Sequence, residues 1–144
     1  MHSGVRFFLK GESGQILKYV VTFGIVIAVI ILLLVEVGPI VLVRITSIQE
    51  AEDLAADAAM QYYMNNSDES KVRELAAEKM KLMNFSDDEI RSSVVEFLPE
   101  GSFQKTTVRV TAVRYAKTLV SRHISWLKRL ERVTTTKDAP IQQK

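Results

Sequence analysis

The fold of this chain is decided by residues 15–64, which read QILKYVVTFGIVIAVIILLLVEVGPIVLVRITSIQEAEDLAADAAMQYYM. The first half is almost wholly apolar, because Tyr19–Val43 contains 25 residues and a single charge, Glu36. At about 1.5 Å per residue, such a helix reaches roughly 37 Å, which exceeds the roughly 30 Å hydrocarbon core of a membrane. We therefore predict a transmembrane helix over residues 15–44.

A cleavable secretory signal is the competing interpretation of the apolar run. The apolar part of such a signal is usually about 7–15 residues long and ends at small residues of the A-x-A type. The residues from Val37 to Val41 offer no such site. A spanning helix therefore fits the sequence better.

Flanking charge predicts the orientation of this helix, because Lys and Arg beside a span are retained on the cytoplasmic side. Arg6, Lys10 and Lys18 precede the apolar run, whereas Arg44 alone follows it before an acidic series that begins at Glu50. We expect a single-pass protein of the cell membrane, with a cytoplasmic N-terminus and its C-terminal domain outside. That location suits a chain with no cysteine.

The helix is expected to continue out of the membrane as residues 45–66. Small and apolar residues recur there at helical spacings of three and four, namely Ala51, Leu54, Ala55, Ala58, Ala59 and Tyr62. No Gly or Pro lies between Ile40 and Asn65. One helix of close to 50 residues is therefore predicted, with room for a kink at Pro39.

Residues 67–137 predict a small domain. Ser67 has the character of an N-cap for a helix over about residues 69–83, and Ser86 with Glu89 fits a capping box. Two runs rich in β-branched residues, Ile90–Leu98 and Thr106–Val113, predict a hairpin.

The helical period returns at Tyr115 and predicts an amphipathic helix with Leu119, Trp126 and Leu130 on its apolar stripe. Residues 132–136 predict a third strand, followed by a polar tail over 138–144. The expected fold class is α+β: a long N-terminal transmembrane helix that continues outside, then a small domain with a short antiparallel sheet and two helices.

The chain resembles the TadE-like proteins of the tight-adherence (Flp/Tad) pilus machinery, which are small pilin-like membrane proteins. The resemblance covers residues 11–64 well and the rest in outline. It rests on the long apolar helix and on three short stretches, which are Gly14-Gln15-Ile16-Leu17, Glu36-Val37-Gly38 and Ala55-Ala56-Asp57-Ala58-Ala59.

The resemblance implies that residues 1–14 are a basic leader, which a prepilin-type peptidase would remove between Gly14 and Gln15. It also implies partners among other pilin-like or pilus-assembly membrane proteins, or further copies of the chain. Where the family has a glutamate followed by an aromatic residue, this sequence has Lys18 and Tyr19. An uncleaved protein that stays in the membrane is equally compatible with that difference.

Five residues of the apolar helix are candidates for packing against partners. A carboxylate such as Glu36 costs about 2.5–3.5 kcal/mol in hydrocarbon. We expect it to face a polar group on a neighbouring helix; the alternative is that it lies near the outer interface, hydrated or protonated. Gly24 and Ala28 form a small-xxx-small pair, and Gly38 with Pro39 permits close approach or a bend.

The sequence argues against an enzyme. Its two histidines are His2 and His123, and it contains no glycine-rich phosphate loop, nucleophile elbow or metal-ligand motif. We expect no catalytic residues, no metal and no cofactor.

Charge is divided between the two halves of the outer region. Residues 45–100 carry 5 basic and 13 acidic side chains, and residues 101–144 carry 10 basic and 2 acidic ones. The predicted basic face consists of Arg114, Lys117, Arg122, Lys128, Arg129 and Arg132. It is expected to be solvated, to meet the acidic segment of the same or another subunit, or to lie on anionic membrane lipid. Nucleic acid is disfavoured, because Tyr115 and Trp126 fall on the apolar stripe.

Two functions fit these observations. The first is a pilin-like structural or assembly subunit that acts by helix packing, either in the membrane or in a surface filament. The alternative is a membrane-tethered extracytoplasmic binding module with an uncleaved anchor.

Overall fold

The structure is a computed structural model that describes residues 12–120, 123–125 and 128–141. Its helices are α1 (Glu12–Met64), α2 (Glu69–Leu82), α3 (Asp87–Ser92) and α4 (Lys128–Glu131). Its strands are β1 (Val94–Leu98), β2 (Thr107–Tyr115) and β3 (Arg132–Pro140), which form one antiparallel sheet in the order β1-β2-β3. The predicted α+β class is confirmed.

The chain divides after Gly38 into two compact units, and α1 contributes to both. In the first unit, the large apolar side chains from Ile16 to Val37 are between 39% and 74% exposed. Within the described residues, one helix is long and apolar enough to cross a membrane, and its apolar window is 0% buried. The prediction of a single long helix is confirmed, since α1 has 53 residues and contains Pro39.

The second unit, Pro39–Lys144, is built on the C-terminal half of α1, and we call it the outer domain after its predicted position. The predicted small-residue stripe of α1 is buried, with Ala51, Leu54, Ala55 and Ala58 at most 2% exposed. It belongs to one core together with α2 and the inner face of the sheet. Other buried residues of this core include Val72, Met80, Val95, Phe97, Val108 and Val110. Alanine suits this position because it lets the helix backbone approach the sheet closely.

The outer domain therefore begins earlier than the predicted residue 67. Residues 45–66 continue the helix as predicted and also supply one wall of the core of this domain. The sheet also ends later than predicted: β3 continues to Pro140 and Ile141 is buried, so the residues from Asp138 onward do not all belong to a polar tail.

The predicted helix over about residues 69–83 is confirmed, with a different N-cap. Ser67 has a φ of 66°, and the cap is Asp68. Its carboxylate accepts hydrogen bonds from the N–H groups of Ser70 (3.0 Å) and Lys71 (3.1 Å). Ser67 belongs instead to the left-handed turn that follows α1, which moves the cap one residue along the chain.

The capping box of Ser86 and Glu89 is confirmed, and it changes the start of the first strand. Ile90 was expected in that strand but lies in α3, and β1 starts at Val94. Acidic residues in the first turn favour this short helix by opposing its positive end. The predicted hairpin of β1 and β2 is confirmed.

The predicted amphipathic helix from Tyr115 is wrong for the residues that the structure describes. β2 continues to Tyr115 because its pairing with β3 extends to Arg132, and the later helical segment is the single turn Lys128–Glu131. Leu119 and Leu130 are more than half exposed rather than buried on a stripe. Trp126 lies outside the described residues.

Candidate interaction site at the inner end of the sheet

Arg114 lies on the inner face of the sheet, not on an open basic face. Side chains alternate along a strand, and Val108, Val110 and Ala112 of β2 are all buried. Arg114 continues this alternation and faces Glu50 of α1, with its side chain 17% exposed. The interpretation that this arginine meets the acidic segment of the same chain is thus the one that the structure supports.

All five N–H donors of the Arg114 guanidinium make hydrogen bonds. Two of them bind the Glu50 carboxylate in a bidentate pair, at 2.9 Å from Nε and 2.7 Å from Nη2. The others reach the carbonyl oxygens of Met83 (3.2 Å) and Asn84 (3.0 Å) and the carboxylate of Glu89 (3.3 Å). The guanidinium also stacks 3.9 Å from the centroid of the Phe85 ring.

Arg114 therefore joins the separate parts of the outer domain. Glu50 belongs to α1, Met83 and Asn84 directly follow α2, and Glu89 belongs to α3. A cation beside the carbonyl groups that end a helix also opposes the negative end of its dipole. We call Arg114, Glu50 and Glu89 the arginine cluster.

Glu89 is the most enclosed acid of this cluster, with a side chain 9% exposed. Its carboxylate accepts the backbone N–H groups of Ser86 and Tyr115, both at 2.7 Å, and the Ser86 hydroxyl at 3.1 Å. Burial alone would raise the pKa of this carboxyl. The hydrogen bonds from Ser86 and Tyr115 and the charge of Arg114 outweigh burial, and the pKa lies below its ordinary value.

A lowered pKa makes the outer domain sensitive to acid. The unfolded chain binds a proton at Glu89 more readily than the folded chain does, so the stabilisation is complete at neutral pH. It is lost as the pH falls below about 4.5 and through the lower pKa of the folded state. We expect Glu89→Gln to flatten the acid limb of the stability curve, measured by urea unfolding at a series of pH values. Glu100→Gln, in the exposed turn after β1, controls for the loss of one carboxylate. If this variant flattened the acid limb equally, Glu89 would not be the source of the acid sensitivity.

A groove of about 770 Å³ lies next to the arginine cluster. One side is the α1 segment of Pro39, Leu42, Val43 and Thr46. The other side holds the end of β2 and the α2–α3 connection, with Phe85 and Tyr115 as aromatic walls and Lys81 and Lys117 as cations. The groove is thus apolar along the helix and cationic at its margin.

The predicted basic face does not form as one exposed surface: Arg114 is largely enclosed, although Lys117 lines the same groove. Lys117, Arg129 and Arg132 are exposed, and Lys128 lies in α4. Arg122 lies outside the described residues. The predicted face depended on a continuous helix, so it is replaced by a loop that carries exposed cations.

The predicted processing and packing residues all lie on α1. Gly14 and Gln15 are within its first turns, Gly24 and Ala28 are in the exposed apolar half, and Glu36, Gly38 and Pro39 are partly buried. A Cβ atom built on Gly24 or Gly38 would meet nothing within 4 Å. Packing within this chain therefore does not require glycine at either position.

Glu50, Phe85 and Glu89 were not predicted as partners of Arg114. Alternation along the β2 sequence contained part of the signal, because it places Arg114 on the same face as three small apolar residues. The contacts themselves depend on how α1, α2 and α3 pack. Within the described residues, no group of three or more His, Cys, Asp or Glu side chains is placed to hold a metal ion.

Comparison with known proteins gave no match: no family model, no curated protein and no solved structure matches this chain. The function is therefore argued from the residues and their geometry.

Proposed function

We propose that this chain is a membrane-anchored, pilin-like structural or assembly subunit that acts by helix packing and is not an enzyme. The observation that carries this proposal is the difference in burial between the two parts of α1. Its first part presents exposed apolar side chains from Ile16 to Val37, while its outer part is buried in the core of a folded domain. An apolar helix with no protein packed around it needs lipid or other helices as its surroundings.

The proposed topology is a single pass with the N-terminus in the cytoplasm and the outer domain on the other side. The basic residues that precede the span support it. The proposed partners are other pilin-like membrane proteins or further copies of the chain, because the exposed half of α1 includes the small residues Gly24 and Ala28.

Glu36 is the residue through which we test helix packing. It is the one charged side chain between Lys18 and Arg44, and in a membrane it would favour a polar group on a neighbouring helix. We expect Glu36→Leu to insert normally but to lower co-purification of crosslinked partners from native membranes by about tenfold, since hydrogen bonds between membrane helices contribute about 1–2 kcal/mol in model peptides.

Two further variants make this test specific. Glu36→Gln keeps a hydrogen-bonding side chain and should retain most of the partner yield. Val37→Leu changes the adjacent apolar position and should leave the yield unaltered. Unchanged co-purification by Glu36→Leu would remove this residue from the mechanism.

A membrane-tethered binding module is the second candidate, and the groove beside the arginine cluster favours it. The intact mass of the protein from its native membrane tests whether the leader is removed. A chain that begins at Gln15 would support a processed pilin-like subunit. A chain that retains the basic leader would favour a resident membrane partner or a tethered module.

A further inference from the structure

The connection between β2 and β3 lies at the end of the sheet that is nearest to the outer end of the proposed span. Tyr115 and Arg132 form the last residue pair between these strands. Across the groove, Tyr115 and Lys117 face the α1 residues Leu42 and Val43, which close the proposed span. The position of this connection relative to a membrane therefore rests on the proposed function.

The two ends of the connection are fastened together. The N–H of Ala116 donates to the carbonyl oxygen of Glu131 at 2.8 Å. The hydroxyl of Thr118, itself 3% exposed, donates to the Glu131 carboxylate. The two described ends of this loop are thus held together at the end of the sheet, and Glu131, the one acidic residue in its sequence, is engaged there.

The surface of this loop combines exposed apolar side chains with cations. Leu119, Val120 and Leu130 are 59%, 41% and 56% exposed. Lys117, Arg129 and Arg132, which lie within two residues of Leu119 or Leu130 in the sequence, are also exposed. In sequence, residues 116–132 contain five Lys or Arg and one Glu. Apolar side chains next to several cations are typical of segments that bind the surface of an anionic membrane.

We propose that this loop docks the outer domain on an anionic phospholipid surface. We define the docking surface as Lys117, Leu119, Val120, Arg129, Leu130 and Arg132. The apolar side chains enter the headgroup region, and the cations bind lipid phosphates. Arg114 takes no part, because all of its donors are used within the arginine cluster.

The other end of the sheet supplies an internal control. Thr107 pairs with both Leu98 and Pro140, so the loop that contains Phe103 lies at the end opposite the docking surface. Phe103 is fully exposed. It is therefore an exposed apolar residue that should stay away from the membrane.

The test uses the full chain, which has no native cysteine, reconstituted in vesicles. Single cysteines replace Leu119, Leu130 or Phe103 and carry an environment-sensitive nitrobenzoxadiazole label. With phosphatidylglycerol in the vesicles, we expect nitroxide-labelled lipid to quench the label at positions 119 and 130 at least twofold more than the label at 103. Equal quenching at all three positions overturns the proposal. Quenching at positions 119 and 130 that is equally strong in vesicles of phosphatidylcholine alone also overturns it.

Charge variants test the role of the cations. Removing two Lys or Arg near an anionic surface should lower the docking equilibrium constant about 25-fold, at about fivefold for each. Lys117→Gln with Arg129→Gln should therefore reduce quenching at Leu130→Cys strongly. Lys71→Gln with Lys137→Gln removes the same charge elsewhere on the outer domain and should not. An equal reduction by both pairs overturns a specific surface.

Flotation of the same vesicles at alkaline pH separates this inference from the proposed span. A chain that floats without selective quenching retains its anchor and refutes the docking surface. A chain that fails to float refutes the span itself. If positions 119 and 130 are shielded from water in native membranes but not in vesicles of pure lipid, a protein partner rather than lipid covers them, and lipid docking is overturned.

Discussion

A fragment of residues 66–144 is expected to remain unfolded, whereas a fragment of residues 45–144 is expected to fold. The shorter fragment lacks the α1 stripe of Ala51, Leu54, Ala55 and Ala58, which is buried against the sheet and α2. Without it, the inner faces of β1 and β2 would be open to water. A three-stranded sheet needs a packed apolar face for independent stability.

Amide proton dispersion and near-ultraviolet circular dichroism of the two fragments check this expectation. The longer fragment also retains the hydrogen bond of 2.8 Å between the hydroxyls of Ser47 and Thr135, which joins α1 to β3. A well-dispersed spectrum from the shorter fragment would mean that the domain folds without the buried stripe of α1, and would contradict this expectation. The result also decides which fragment is suited to a search for soluble ligands.

Replacement of Arg114 by methionine is expected to destabilise the outer domain by about 3–5 kcal/mol, the usual cost of removing one partner from a buried ion pair. Arg114, Glu50 and Glu89 have side chains only 17%, 20% and 9% exposed. Methionine retains much of the packing on Phe85 but leaves both carboxylates without their cation. It also leaves the carbonyl groups of Met83 and Asn84 without the Arg114 donors.

Arg109→Met is the matched control, because Arg109 is on the same strand and also forms a bidentate pair, with Asp138 at 2.8 Å. That pair is exposed on the outer face of the sheet, so its loss should change stability little. Urea unfolding of the full chain in detergent measures both variants. Similar free energies of unfolding for the two would contradict the central role of the arginine cluster.

The long helix and the two hairpin strands could be predicted because each has a strong local pattern. In α1, an uninterrupted apolar run is followed by small residues at helical spacing. In β2, Val108, Val110 and Ala112 alternate with polar residues. These patterns are local, and tertiary packing agrees with them.

The C-terminal part could not be predicted in the same way. The spacing of Tyr115, Leu119 and Leu130 fits a helix, but β3 pairs with β2 as far as Tyr115 and takes the start of that helix into the sheet. Strand pairing joins residues that are distant in sequence. No local period can therefore determine where β2 ends.

The arginine cluster shows the same limit for the candidate site. Charge segregation left contact with the acidic segment as one of several interpretations of the basic residues, and Arg114 does meet Glu50 and Glu89. The identity of the partners depends on three helices that converge on one end of the sheet. The sequence pattern contains the charges but not their three-dimensional arrangement.

The continuity of α1 means that one helix is under two different rules of substitution. Residues 15–38 face their surroundings, so Ile, Val, Leu and Phe should replace one another there with little cost to the folded domain. Ala51, Ala55 and Ala58 are closed in by the sheet and by α2, and larger side chains there would overpack the core. Variation among apolar residues in the first part, and persistent small residues in the second, is the substitution record that this helix should leave.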